Sequence, residues 1–134
     1  MAKLIRTKNL KENTTFEPPL VVGFGIESTT VGQPTKMTMQ HTDIPPGGRN
    51  QRHYHVKNDA GMYIVKGKLL MFFGPEHQQQ EVIAEAGDFV FVPQGEIHGL
   101  KNLSDTEPAE IVACYGGVGT KEESGTIYME PAYK

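Results

Sequence analysis

Nowhere in this chain do apolar residues recur at the 3.6-residue helical period over a window of about eleven residues. They alternate in short runs, each cut off by Gly, Pro, Asn or Asp. Residues 36–41 alternate, with Met37 and Met39 on one face and Thr38 and Gln40 on the other, until Pro45-Pro46-Gly47-Gly48 stops them. The same pattern predicts strands at 52–56, 61–65, 68–73, 81–84, 89–92 and 110–115. A polar hairpin tip is expected at 76–80, a turn at 86–88 and a break at 93–95. Short strands at such regular spacing build an all-β sandwich or barrel with little helix. The first 25 or so residues and the last 15 or so carry no clear pattern, and either end can add an edge strand, even across a dimer interface.

A chain of 134 residues suits one domain with one core. Fifteen glycines and nine prolines lie scattered without a period, which excludes collagen-like and low-complexity readings. A net charge of −3 gives no electrostatic reason for a nucleic-acid or anionic-membrane partner. Lys3, Arg6, Lys8 and Lys11 are followed at once by Glu12 and Glu17, so the start is expected to be a solvated segment. No apolar run approaches the ~20 residues of a membrane span, and the start lacks a secretion signal's apolar stretch. The single cysteine, Cys114, excludes an internal disulfide. The cytoplasm is therefore the expected compartment.

The chemistry gathers on histidines. His53 and His55 flank Tyr54, and strand residues two apart project from one face. Two imidazoles pointing inward make half of a metal site. A second segment holds Gly87, Pro93, Gly95, His98 and Asn102. Gly87 supplies a tight turn, Pro93 and Gly95 the next, His98 opens a new strand, and Asn102 can bond local backbone. Five fixed residues at about one in twenty each arise by chance roughly once in several million starting points.

This spacing resembles the second motif of the cupin superfamily at every fixed position. The first cupin motif is met by Gly47, His53, His55 and Gly67, but Ala60 stands where the family has a glutamate. The resemblance covers roughly residues 35–115, within one cupin domain of residues 1–134. Inside the superfamily the chain is similar to small single-domain proteins described as mannose-6-phosphate isomerase-like. It implies a double-stranded β-helix, that is, a jelly-roll barrel. It also implies a divalent transition metal (Fe, Mn, Ni, Zn or Cu) held by His53, His55 and His98, and a homodimer.

Two readings follow from Ala60. Asp59 can swing inward as a fourth ligand, which needs a local distortion because its strand position faces away. Alternatively, three neutral imidazoles leave the ion its full charge, making a strong Lewis acid that favours a chelating anion. The second is preferred here. Gln51 shares a face with His53 and His55 and is a candidate to orient a metal-bound water or substrate. His41 is expected at a rim, and His77 in the exposed hairpin tip. Cys114 is expected as a buried structural thiol, and Tyr63, Phe89 and Phe91 in core or interface packing. Arg52 and Lys66 are expected at the surface.

The leading functional expectation is a metalloenzyme acting on a small oxygenated molecule. An oxygenase comes first, and an isomerase or lyase of a sugar or keto acid second. The alternative is a small-molecule binding or sensor module, with or without metal and without catalysis. Fold alone does not choose between them.

Overall fold

The computed structural model describes residues 1–133, leaving Lys134 of the expected domain outside the described residues. Ten strands are present: β1 (Val21–Ile26), β2 (Met37–Ile44), β3 (His53–His55), β4 (Ala60–Lys66) and β5 (Lys68–Phe73) come first. β6 (Gln80–Glu85), β7 (Phe89–Val92), β8 (His98–Asn102), β9 (Ala109–Gly116) and β10 (Thr126–Tyr128) follow. Among the described residues helix is confined to single turns at Ser28–Val31, Thr7–Asn9 and Glu76–Gln78, the last in the expected hairpin tip.

The strands form two five-stranded antiparallel sheets, ordered β1-β2-β9-β4-β7 and β10-β3-β8-β5-β6. This is the all-β jelly roll that the punctuation and the histidine motifs imply. Both chain ends contribute edge strands, β1 to one sheet and β10 to the other. Leu69 and Met71 of β5 and Leu100 of β8 meet Ile44 of β2 and Ile64 of β4 between the sheets, with Leu20 completing the cluster. Burying each such side chain stabilises the fold by about 1.5–3 kcal/mol.

Turn chemistry holds the hairpins in register. Gly67 joins β4 to β5 at φ +97°, and a Cβ there would lie 2.7 Å from the Ala109 Cβ. Only glycine fits that backbone and that space. Asn102 ends β8 by donating its amide to the carbonyls of Ile44, Pro45 and Glu107, while its Oδ1 accepts the Ser104 N–H at 3.0 Å. The expected local bond is thus part of a wider tie between the loop after β2 and the loop joining β8 to β9.

Strand β2 departs from a simple reading of hydrophobicity. Thr38, Gln40 and Thr42 point inward, while Met37 and Met39 lie on the outer face. The reason is at the far end of the strand, where Ile44 is fully buried in the aliphatic cluster. Because side chains alternate, burying Ile44 turns Thr42, Gln40 and Thr38 to the same side. His41 therefore faces outward, its Nε2 3.7 Å from Glu110 Oε2 on β9.

Other placements narrow the expectations, ruling out the core for Tyr63, Phe89 and Phe91 and the interior for Cys114. Phe89 is 81% exposed and Phe91 66%, and Tyr63 joins them, so none of the three is in the core. Cys114 is half-buried on that same outer face instead of in the interior. His77 and Lys66 are exposed, as expected. No helix among the described residues is long and apolar enough to cross a membrane.

Candidate metal centre

The three motif histidines meet. His53 and His98 are directly paired across β3 and β8, and His55 lies two residues along β3 on the same face. One ring nitrogen from each lies within 4.8 Å of the other two. Ring centroids are 4.3 Å apart for His53–His98, 5.1 Å for His53–His55 and 5.2 Å for His55–His98. All three residues are buried.

Hydrogen bonds around the rings decide which nitrogens are free. His53 Nδ1 donates to the Gln51 carbonyl at 2.7 Å, and His98 Nδ1 to the Glu96 carbonyl at 2.9 Å. His55 Nδ1 lies 2.8 Å from Ser124 Oγ and 2.9 Å from Thr126 Oγ1. Ser124 spends its one proton on Asn58 Oδ1 at 2.6 Å, so its oxygen accepts from His55. Asn58 is oriented in turn by donating Nδ2 to the Asp59 carbonyl at 3.0 Å. Every Nδ1 thus carries a proton, and every Nε2 keeps a bare lone pair. That is the donor state a divalent ion requires of imidazole, with the supporting partners already in place.

Electrostatics agree. Burial pushes His53 well below its usual pKa, and the neighbouring His98 and His55 push it further. Burial and then His98 bring His55 down to about 3, and burial also lowers His98. The rings are therefore neutral at physiological pH. The donor set fits a divalent transition metal.

Ala60 stands directly opposite Tyr115 across β4 and β9, and both belong to one buried cluster with Val92 and Val118. The Tyr115 ring packs on His55 at 4.5 Å between centroids. A glutamate at 60 would contend with that ring for the same space, which accounts physically for the small residue. Asp59, the candidate fourth ligand, is exposed, and its Oδ1 accepts the Gln94 N–H at 2.9 Å. Gln51 reaches the site through its carbonyl, while its side-chain amide donates to the Glu130 carbonyl at 2.5 Å. Arg52 is committed to Glu130, with Nε at 3.1 Å from Oε1.

One residue at the site was read as part of a solvated segment, and the structure corrects that. Glu17 has a side chain only 12% exposed, with Oε1 3.5 Å from His53 Nε2. Burial raises its pKa to about 7. Tyr115 and Tyr128 are also pushed up, Tyr128 to about 12, first by burial and then by Glu17. Ser124, Thr126 and Asn58 escaped the sequence reading as well. All lie outside the two histidine motifs or at positions those motifs leave free, and hydroxyls without periodic pattern carry no signal.

The free space beside the rings is about 20 Å³, room for one or two waters, and Gln40 and Thr42 of β2 face it.

Comparison with known proteins places this geometry in context. A family model described as "Cupin domain" matches residues 40–115, more than half of the chain. Germin-like protein 5-1 of Oryza sativa subsp. japonica is 32% identical over 74 residues, 53% of this chain and 32% of that protein. The chain thus spans about a third of that relative's length. Among solved structures, oxalate decarboxylase of Lactobacillus farciminis superposes with a TM-score of 0.76 at 20% identity. That match covers 91% of this chain and 34% of the other. An oxalate oxidase in complex with the substrate analogue glycolate gives a TM-score of 0.73 at 19% identity, over 94% and 63%. At such identities the structural likeness speaks for the fold.

Proposed function

This chain belongs to the cupin domain family, and from that premise we propose that it is a metal-dependent enzyme of the oxygenase type, acting on a small oxygenated acid that chelates through two oxygens. The observation that carries this reading is the protonation pattern of the rings. Three Nδ1–H groups are spent on Gln51, Glu96 and the Ser124–Thr126 pair, leaving three Nε2 lone pairs converging in a buried space. A structural histidine cluster needs no such uniform orientation. Support comes also from the fold neighbours, two of which act on oxalate, and from the Mn(II) centres of the Bacillus subtilis oxalate decarboxylase.

A divalent ion held there supplies Lewis acidity, polarising the bound oxygens of the substrate. The chain's own residues do the rest. His53, His55 and His98 hold the ion and stay neutral because burial disfavours their charged form. Gln40 and Thr42 line the cavity wall and offer hydrogen-bonding groups to whatever occupies the space beside the ion. Tyr115 and the aliphatic residues around it exclude water from one side.

Elemental analysis of protein purified without added metal is expected to find one divalent ion per chain. Oxygen uptake by Mn- or Fe-loaded protein is then followed with oxalate, glycolate, small keto acids and diketones. Uptake with none of them removes the oxygenase reading. Ligand affinity that survives complete removal of metal by a chelator would leave a binding module instead.

A further inference from the structure

We infer that Glu17, delivered by the segment preceding β1, is a carboxylate ligand of the metal centre and takes the role that Ala60 leaves vacant on β4. The inference rests on the metal-site reading above and extends it to a residue from outside both histidine motifs.

The geometric argument concerns two acceptors. His53 Nδ1 is the protonated nitrogen, because it donates to the Gln51 carbonyl, so His53 Nε2 presents a lone pair. Glu17 Oε1 faces that lone pair at 3.5 Å, in a place nearly closed to solvent. Two acceptors that face each other away from water repel unless a proton or a metal ion stands between them, and 3.5 Å is long for an O–H···N hydrogen bond. Donors bound to one ion at about 2.0–2.2 Å, at angles between square and tetrahedral, lie about 3.0–3.5 Å from each other. The separation from His53 suits two ligands of one ion, while at this centre mutual distances within 4.8 Å hold only for His53, His55 and His98, so joint ligation requires the Glu17 carboxylate to swing further inward.

The placement of Glu17 is held from both sides. Asn13 Oδ1 accepts the N–H groups of Thr15 and Phe16, and Asn13 exchanges backbone bonds with Val22 of β1 at 2.8 and 2.9 Å. Phe16 packs edge-on against Phe24 at 5.4 Å, and its carbonyl accepts the Tyr128 hydroxyl. Beyond Pro18 and Pro19, the Leu20 N–H closes onto the Glu17 carbonyl at 2.7 Å, and the Leu20 side chain is fully buried in the core. A loosely draped surface segment makes no such set of contacts. Net charge follows too: one carboxylate reduces the +2 of a three-imidazole site to +1.

The test uses Co(II) as the probe, because its absorption reports coordination as well as occupancy. Co(II) affinity and visible spectra are measured at pH 7.5 for the intact chain, for Glu17→Gln, which keeps the shape, and for Glu17→Ala, with metal-free thermal melts as a check of folding. Outer partners of ligands are worth about 10–100-fold in affinity, so loss of a direct ligand is expected to weaken binding at least about 10-fold in both variants. The Co(II) bands should shift in both. If the intact chain binds one Co(II) and both folded variants bind it as tightly with the same spectrum, Glu17 is not a ligand, while the three-histidine reading stands. If the intact chain binds no Co(II), the metal-site reading fails and this inference falls with it.

Discussion

The space between the two sheets is divided lengthwise. One end is filled by Leu20, Ile44, Ile64, Leu69, Met71 and Leu100, with Asn102 as a buried polar side chain at its margin. The other end is lined by three imidazoles, a carboxylate and the inward-facing Gln40 and Thr42. Strand β2 runs through both, and its inner face changes from threonine and glutamine to isoleucine within eight residues. The aliphatic end makes the fold stable. The polar end costs stability, since buried polar groups must be desolvated, and is tolerated because the other end anchors the same strands.

The division can be broken at either end, and the consequences should separate. The largest effect is expected from His98→Ala, which removes one of three imidazoles and should abolish stoichiometric metal binding in a chain that still folds. Metal analysis and circular dichroism check both halves of that statement. Next is Ile64→Ala in the aliphatic end, where a cavity should cost about 2–5 kcal/mol of stability by urea unfolding. Metal stoichiometry should survive it. If Ile64→Ala instead lost metal at unchanged stability, the two ends would not be separate in function.

Ser124→Ala tests the support of the polar end. It deprives His55 Nδ1 of one acceptor, and metal affinity should weaken about 10–100-fold in a competition titration. An effect below threefold would mean that Thr126 alone orients the ring.

Acid should act mainly through the polar end. His53, His55 and His98 all have depressed pKa values in the folded chain, so the stability they confer is present above their unfolded value of 6.5 and is lost as pH falls below it. Glu17 acts oppositely. Its pKa is raised from 4.5 to about 7, so its contribution is present below 4.5 and fades as pH rises through 7. Three imidazoles outweigh one carboxyl, and the metal-free protein should therefore lose stability between pH 6.5 and 4.5. Each net proton taken up on unfolding contributes a slope of about 1.4 kcal/mol per pH unit. A flat profile in chelator-treated protein would contradict the burial of the rings. The smallest effect is expected outside both ends: Phe89→Ser on the exposed face should change unfolding free energy by no more than about 0.5 kcal/mol.

The histidine motifs were legible because they lie where local chemistry is strict. Gly87 and Gly95 occupy positive-φ positions that only glycine adopts readily, and His98 follows at a fixed distance. Strands could be placed from punctuation for the same reason. What stayed hidden depends on long-range contact. Glu17 looks like any acidic residue after a basic stretch, and its place beside His53 is set by Leu20 and Phe16 burying themselves in a sheet built later in the chain. The inversion of β2 was equally hidden, because Met37 and Met39 are the more apolar pair locally. The burial of Ile44 settles which face turns inward. The aromatic residues Phe89 and Phe91 have strand propensity but lie on a face that the second sheet does not cover.

The short strand β3 carries two of the imidazoles and is flanked by β8 on one side and β10 on the other. Thr126 pairs with His55 and Tyr128 with His53, while Glu130 grips Arg52. His53 takes its tautomer from the nearby Gln51 carbonyl, whereas His55 takes its own from Ser124 Oγ and Thr126 Oγ1, some seventy residues further along the chain. Until β10 docks on β3, the His55 ring lacks the partners that fix its orientation. The ligand geometry at the middle of the chain is thus completed by residues 124–126, and whatever displaces that edge strand loosens one of the three rings.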